Sequence, residues 1–281
     1  MNIAVAVILG IVLDTNGLSD EQMQKAAAAI GFNETVFVMP SNKADVRLRF
    51  FTSGQEMNLC GHATVASILM MKEQGFWREG EIRLETKAGI LPISIMELGG
   101  RVMISMQQAK YQEEKFVGSL KNLAESIGLS EDDIDSRFPV VFGNTGIWTL
   151  LLPIKKLSAF QNMRPDNSRF PNVLFQKPRS SIHPFCLETF HPEADMHGRH
   201  FSSPFSGTNE DPVTGTATGV MGAYYRKYIL KPWNNKESII VEQGQEIGKD
   251  GIIEVELPTK ERNAVKICGT AVFVKEFGIE I

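Results

Sequence analysis

The chain has 281 residues, 43% of them hydrophobic and 22% charged, with a formal net charge of −4. This balance excludes an intrinsically disordered protein and a basic nucleic-acid-binding surface, and the length allows one large or two medium-sized domains. The three cysteines lie far apart and form no pair at metal-ligand spacing, which favours a reducing compartment over a disulfide framework or a structural zinc site; they are Cys60, Cys186 and Cys268.

The first segment, residues 3–13, is rich in Val, Ile and Leu. No basic region precedes it, and Asp14 follows too early for a membrane span. The segment is therefore predicted to be a buried strand rather than a signal peptide. We expect a soluble, cytoplasmic protein with neither membrane nor nucleic-acid partners.

Capping and turn residues mark the elements of the first third. Ser19 followed by Gln22 forms a capping box, and Gly31 closes the pattern, so a helix is predicted over residues 20–30. Glycine turns are predicted at Gly89 and at residues 99–100. Strands are predicted for residues 34–39, 44–51, 82–86, 90–97 and 102–107.

The remaining two thirds carry both kinds of pattern. Residues 111–116 are polar and charged and are predicted to form a link. Residues 119–128 predict an amphipathic helix ended by glycine, and residues 154–160 a further helical segment. The histidines beyond residue 180 are predicted to lie in loops without identified partners. Strands are predicted for residues 140–152, 185–190, 239–243, 252–257 and 265–277.

Two stretches combine a polar, glycine-containing turn with a following helix of small and apolar residues. They are Cys60-Gly61-His62-Ala63-Thr64 and Glu210-Asp211-Pro212-Val213-Thr214-Gly215-Thr216-Ala217. Hydroxyl or acidic residues near the cap, an early Pro and small residues are typical of helix N-termini. The free N–H groups of such a terminus bind anions.

The order of features around the two stretches is repeated. Residues 47–51 and a glycine-containing loop precede Glu56 and the first stretch, and residues 199–201 and a similar loop precede Glu210 and the second. This order predicts two similar α/β halves, each a curved sheet around one buried helix. If the halves face each other, both helix N-termini point into one cleft and hold a carboxylate.

Three motifs in this order resemble the PhzF-like phenazine-biosynthesis proteins. They are Asn33-Glu34-Thr35-Val36-Phe37, Cys60-Gly61-His62-Ala63-Thr64 and Glu210-Asp211-Pro212-Val213-Thr214-Gly215-Thr216-Ala217. The resemblance implies an α+β, diaminopimelate-epimerase-like fold of two pseudo-symmetric domains, each a barrel-like, mostly antiparallel sheet wrapped around a central helix. It places the domains at residues 1–115 and 116–272, with residues 273–281 or so as a candidate strand that completes the first.

The resemblance also implies a function. The best-known family member isomerises a dihydro-hydroxyanthranilate without any cofactor. By position, Glu34 is the acid/base that moves the proton, while His62 and Asp211 position the substrate and tune Glu34. The residues implied to bind substrate are Cys60, Gly61, Gly215 and Thr216.

The chain departs from the family pattern at two places. The family usually has serine at Thr216, so the hydroxyl is kept and a methyl group is added. Family members also begin with a further strand that leads into a Gly-Asn-x-Ala turn, whereas this chain begins at Met1-Asn2-Ile3-Ala4. A missing strand is expected to leave a sheet edge open. Together with the habit of the family, this suggests a homodimer.

Each candidate residue also has a structural explanation. Glu34 is at a turn, where surface carboxylates are common, but burial there would raise its pKa and let it carry a proton near neutral pH. His62 is at a helix start, which is expected to lower its pKa and keep the imidazole neutral. No metal is expected, because no second His or Cys follows at ligand spacing. Asp211 has an alternative role as an N-cap worth roughly 1 kcal/mol.

Three functions remain open from the sequence. The first is a cofactor-independent isomerase of a small carboxylate-bearing metabolite, with Glu34 as the proton carrier. The second is a two-base epimerase or racemase that uses Cys60 and Asp211, taken as matching positions of the repeat, because a helix N-terminus lowers a thiol pKa. The third is a non-catalytic small-molecule-binding protein on the same scaffold.

Overall fold

The structure is a computed structural model that describes residues 9–98, 101–206, 208–257, 264–271 and 273–279. The chain divides into two compact units. The C-terminal unit is Gln108–Ile267, and the N-terminal unit holds the described residues before Gln108 and those from Cys268 onward. No helix in the described ranges is long and apolar enough to cross a membrane.

The N-terminal unit is built on a mostly antiparallel sheet. Antiparallel pairing joins β2 (Thr35–Met39) to β3 (Val46–Phe51) and β3 to β4 (Glu56–Met57), and β1 (Gly10–Val12) runs parallel to β2. β3 also pairs in parallel with β5, which continues through the antiparallel neighbours β6 and β7. The bounds of these last three strands are Gly80–Thr86, Gly89–Leu98 and Arg101–Gln107.

Local sequence explains helix α1 (Asp20–Ile30). The Gln22 N–H donates to the Ser19 hydroxyl and the Ser19 N–H donates to the Gln22 side chain, which closes the predicted capping box. Gly31 ends the helix in the left-handed conformation, with φ at 70°. The predicted helix is thus confirmed at both ends. Its buried face joins the sheet in a cluster of Met23, Ala26, Ala27, Phe37 and Phe51.

Helix α2 (Gly61–Glu73) is the central helix of this unit and contacts β2 and β7. Most of its length is buried, as expected of a helix that is apolar on all sides. The Thr64 hydroxyl donates to the Cys60 carbonyl and the Ser67 hydroxyl to the Ala63 carbonyl, both at 2.8 Å. These buried hydroxyls are therefore satisfied within the helix itself.

The C-terminal unit repeats this plan with more strands. Strand β9 pairs antiparallel with both β8 and β10. Strand β10 also runs parallel to β11, and β11 pairs antiparallel with β12 and β13. β13 pairs antiparallel with β14, β12 runs parallel to β15, and β15 pairs antiparallel with β16. The bounds are β8 Gln112–Lys115, β9 Val141–Asn144, β10 Trp148–Pro153, β11 Ser181–Cys186, β12 Met196–Gly198, β13 His200–Phe201, β14 Glu210–Asp211, β15 Ser238–Gln243 and β16 Gly251–Glu256, while β17, Lys266–Gly269, spans the unit boundary.

Helix α5 (Gly215–Tyr224) is the central helix of the C-terminal unit, and a π-helical turn, Tyr225–Ile229, extends it. It is buried from Ala217 to Tyr224 and contacts β9, β10, β15 and β16. The shorter helices α3 (Leu120–Ser126) and α4 (Phe170–Val173) lie beside a separate apolar cluster. That cluster includes Phe116, Phe142, Phe160, Phe170 and Phe201.

Three predicted elements differ from the structure. Residues 111–116 contain strand β8 rather than only a link; both faces of this strand are largely exposed, so the sequence shows no apolar alternation. The strand predicted at residues 185–190 is displaced to β11, whose Pro184 and His183 obscure its buried character. The strand predicted at 265–277 is confined to β17, and residues 273–279 form no strand. The predictions for residues 3–8 and 99–100 lie outside the described residues.

Candidate active site

An Arg–Glu pair stands in front of the central helix in each unit. Arg49 Nε and Nη2 donate to the two oxygens of Glu56 at 2.8 and 3.1 Å, and Arg199 makes the same two bonds to Glu210 at 2.8 and 2.7 Å. Each guanidinium also lies over the ring of a Phe two residues later in the chain. No role was predicted for these arginines, although each belongs to the repeated order of features, Arg49 seven residues before Glu56 and Arg199 eleven residues before Glu210.

The strand register shows which positions of the two units correspond. Phe50 pairs with Met57 in the first unit, and His200 pairs with Asp211 in the second. Asp211 is therefore the counterpart of Met57. The residue at the N-cap is Cys60 in α2 and Thr214 in α5, so these two correspond. The predicted match between Cys60 and Asp211 is wrong, because it aligned two functional groups rather than the two helix starts.

Glu34, Cys60 and His62 converge at the start of α2. The Glu34 Oε2 atom lies 3.1 Å from His62 Nε2. The Cys60 sulfur lies 3.5 Å from the same nitrogen and 3.7 Å from His62 Nδ1. The Glu34 and His62 side chains are 16% and 20% exposed, and Cys60 is buried. The fold thus joins a carboxylate from the turn before β2 to an imidazole and a thiol from the helix.

These neighbours determine the charge of His62. Burial lowers the pKa of the imidazole, but its interactions with Cys60 and with the Glu34 carboxylate raise it, and the resulting pKa is well above the ordinary value. The predicted lowering of the His62 pKa by the helix terminus is wrong, since close partners outweigh the helix end. This raised pKa favours the protonated imidazole, whose Nε2–H can donate a charge-assisted hydrogen bond to the Glu34 carboxylate.

Asp211 lies in front of α5 in the C-terminal unit. Its Oδ2 atom accepts a hydrogen bond of 2.7 Å from the Thr214 hydroxyl. The Gln243 side-chain amide donates to the Asp211 carbonyl at 2.5 Å and to Thr214 Oγ1 at 3.3 Å. Asp211 is therefore not the N-cap of α5, and its side chain is held in place by the residue that is.

The predicted carboxylate-binding residues of this unit begin the same helix. A Cβ atom on Gly215 would lie 2.6 Å from Ile267 Cδ1, so a larger residue there would require the end of the Ile267 side chain to move. The Thr216 carbonyl accepts a bond of 2.9 Å from the Thr145 hydroxyl, which fixes the first turn. The structure thus brings Asp211, Gly215 and Thr216 together in one unit, and Glu34, Cys60, Gly61 and His62 together in the other.

Two buried histidines were missed because they were assigned to loops. His200 lies opposite Asp211 in the β13–β14 ladder, and its Nδ1 atom is 3.1 Å from Nδ1 of His183 in β11. Burial lowers the pKa of both imidazoles, and Asp211 opposes this effect only at His200. A hydrogen bond between two ring nitrogens needs one donor and one acceptor, which agrees with neutral rings.

Each unit wraps a mostly antiparallel sheet around one buried helix and has ionisable side chains at the start of that helix. This architecture defines the class of diaminopimelate-epimerase-like proteins. The predicted fold class is confirmed. A family model described as "Phenazine biosynthesis-like protein" matches residues 7–277. The chain belongs to this family, as the three motifs predicted.

Relatives within the family are named isomerases. The Bacillus subtilis protein "Uncharacterized isomerase YfhB" is 49% identical over 268 residues, which cover 94% of this chain and 90% of the relative. The trans-2,3-dihydro-3-hydroxyanthranilate isomerase of Pseudomonas aeruginosa is 26% identical over 247 residues, which cover 86% and 81%. A Bacillus anthracis crystal structure of a PhzF-family phenazine biosynthesis protein aligns with a TM-score of 0.94 at 49% identity, covering 100% of this chain and 95% of that one. The chain is accordingly an isomerase.

Proposed function

We propose that this isomerase moves a proton between carbons of a small carboxylate-bearing metabolite by acid/base chemistry without a cofactor. The observation that carries the proposal is the 3.1 Å contact between Glu34 Oε2 and His62 Nε2 in a largely water-shielded setting. A carboxylate held in this way by an imidazolium is oriented and has a second oxygen for a substrate hydrogen.

The reaction begins when the Glu34 carboxylate takes a proton from a substrate carbon, whose C–H electron pair stays on the substrate. Conjugation with an unsaturated bond spreads that charge, and Glu34 then returns the proton to a different carbon. The substrate and product therefore differ only in the positions of one hydrogen and the double bonds. His62 stabilises ionised Glu34 before the transfer and positions the carboxyl group afterwards.

Each unit also has a helix N-terminus that suits a substrate carboxylate. Gly61 begins α2 and Gly215 begins α5, each with free backbone N–H groups in the first turn. Thr216 adds a hydroxyl beside Gly215. The P. aeruginosa relative is named for an anthranilate, which is itself a carboxylate, and this supports the same substrate class for the present chain.

The two-base alternative is less well supported. Its opposed base would have to come from the counterpart of Cys60, which is Thr214. The Thr214 hydroxyl already donates to Asp211, and a hydroxyl is a poor base at neutral pH. A Cys60→Ser variant that keeps proton exchange would argue against the two-base reaction.

Solvent-deuterium incorporation tests the proposal. The protein is incubated in deuterated buffer with a panel of small unsaturated carboxylates that includes trans-2,3-dihydro-3-hydroxyanthranilate, and incorporation is followed by NMR. Glu34→Gln should reduce incorporation by about 10²-fold or more, since a positioned general base contributes about that much. Glu81→Gln, an exposed carboxylate of β5 in the same unit, is the matched control and should keep the wild-type rate. Wild-type exchange by Glu34→Gln would overturn the proposal.

A further inference from the structure

Three chemically different metal-ligating side chains meet in the N-terminal unit. One ligand atom each from Glu34, Cys60 and His62 lies within 4.8 Å of the other two. In the part of the chain that the structure describes, no other His, Cys, Asp and Glu residues form such a group. A thiolate, an imidazole and a carboxylate together are the donor set that zinc uses in proteins.

The spacing of the donor atoms suits a tetrahedral ion. Bond lengths of about 2.0–2.3 Å place neighbouring donors of a tetrahedral zinc site about 3.3–3.6 Å apart. The Cys60 sulfur is 3.5 Å from His62 Nε2, and Glu34 Oε2 is 3.1 Å from that nitrogen. The Cys60 sulfur and the Glu34 oxygen lie within 4.8 Å of each other, so a cation would draw these two side chains together to complete the site.

One nitrogen faces two acceptors in this arrangement. His62 Nε2 lies within hydrogen-bond range of both the Glu34 oxygen and the Cys60 sulfur, and Nδ1 lies 3.7 Å from the same sulfur, so one ring bridges the carboxylate and the thiol. A cation at the centre can contact all three groups at once. It would replace the shared proton, and its charge would balance the carboxylate and the thiolate.

We propose that Glu34, Cys60 and His62 bind one Zn²⁺ ion and that this ion inhibits the enzyme. Three protein ligands leave a fourth position for water, and a thiolate ligand selects zinc over magnesium or calcium. The lack of a second His or Cys at ligand spacing does not exclude this site, because the third ligand, Glu34, is distant in the sequence. Inhibition follows because zinc bonded to one Glu34 oxygen withdraws charge from the whole carboxylate and makes its second oxygen a much weaker base toward carbon; this consequence rests on the proposed function, whereas zinc binding does not.

Binding is tested with Co²⁺ as a spectroscopic substitute in the reduced, full-length protein. A single equivalent should produce a thiolate-to-cobalt charge-transfer band and the visible bands of tetrahedral Co²⁺, and Zn²⁺ should displace both. Cys60→Ser should abolish the charge-transfer band and weaken Zn²⁺ binding at least tenfold by calorimetry. The control is Cys186→Ser, which changes a buried thiol of the other unit and should keep band and affinity. Absence of the band in the wild type, or its survival in Cys60→Ser, overturns the site.

Inhibition is measured separately in the deuterium assay, each protein being compared with its own metal-free rate. Zn²⁺ should inhibit wild type and Cys186→Ser, chelation should restore the rate, and any residual activity of Cys60→Ser should resist Zn²⁺ at least tenfold better. Bound Zn²⁺ without inhibition would contradict the inhibitory role and also the role of Glu34. No binding together with normal Glu34-dependent exchange would overturn the zinc site alone.

Discussion

Arg199 and Arg137 make bidentate bonds to a carboxylate in very different surroundings. Arg199 is 7% exposed and its partner Glu210 12%, and Arg199 also donates to the Phe160 carbonyl at 2.8 Å. Arg137 is 69% exposed and binds Asp135. A buried guanidinium cannot exchange a lost protein partner for water, whereas an exposed one can.

Arg199→Lys should therefore destabilise the protein by about 2 kcal/mol or more, because an ammonium cannot make the paired bonds to Glu210 and the bond to the Phe160 carbonyl together. Arg137→Lys, which keeps the same charge at the surface, should destabilise the protein much less than Arg199→Lys. Urea unfolding at fixed pH and salt measures both. Equal costs for the two variants would show that the buried pair does not support the turn before α5.

At the scale of elements, the parts with strong local signals were predictable. The capping box of Ser19 and the left-handed Gly31 defined α1 to the residue, because caps act locally. Strand β8 was missed because an exposed strand is stabilised by its neighbour β9, which local sequence does not show. The Glu34–His62 contact was accessible only through the family resemblance, since it joins residues distant in the sequence. The position that corresponds to Cys60 could be identified only from the strand register of β3 and β13.

Helix α5 approaches its sheet through glycine. A Cβ atom on Gly222 would lie 2.4 Å from Cγ1 of Val255 in β16, which is closer than any packed contact. Gly222→Ala improves helix propensity by about 1 kcal/mol, but forced overpacking costs about 1–3 kcal/mol. We expect net destabilisation, because both residues are buried and neither can move into solvent.

A double-mutant cycle with Val255→Ala isolates this contact. Val255→Ala alone should cost about 2 kcal/mol by removing buried methyl groups, but it also makes room for the new methyl group at 222. The double variant should therefore be more stable than the sum of the single effects by about 1 kcal/mol, as measured by urea unfolding. Simple additivity would mean that α5 shifts away from β16 rather than clashing with Val255.

At the scale of the whole molecule, buried histidines give the protein opposing responses to pH. Burial lowers the pKa of His197, but Glu242 and Glu246, each 3.0 Å away, raise it above its ordinary value. His197 and His62 therefore both stabilise the folded protein. Their contribution is complete below the unfolded pKa of about 6.5 and is lost as the pH rises through the raised pKa of the folded state. His183 and His200 act in the opposite direction, because they stay neutral in the fold.

The lowered pKa values of His183 and His200 predict that the fold loses stability in acid. Below pH 6.5 or so, these imidazoles bind protons in the unfolded chain but not in the folded one, so stability falls by about 1 kcal/mol per histidine between pH 7.5 and 5.5. The double variant His183→Leu/His200→Phe removes both groups, and phenylalanine is the residue at the corresponding position, Phe50, of the other unit. Between pH 7.5 and pH 5.5, the free energy of unfolding should fall by about 2 kcal/mol less in the variant than in the wild type.

Urea unfolding at a series of pH values measures this difference, and the subtraction of the two curves cancels the contribution of His62. His200→Phe alone should show about half the effect, which provides a second measurement if the double variant does not fold. A wild-type curve parallel to both variant curves would mean that His183 and His200 take up protons in the folded protein. That outcome is difficult to reconcile with a pair whose ring nitrogens lie 3.1 Å apart in a buried strand layer, where two positive charges would be neither hydrated nor hydrogen-bonded to each other.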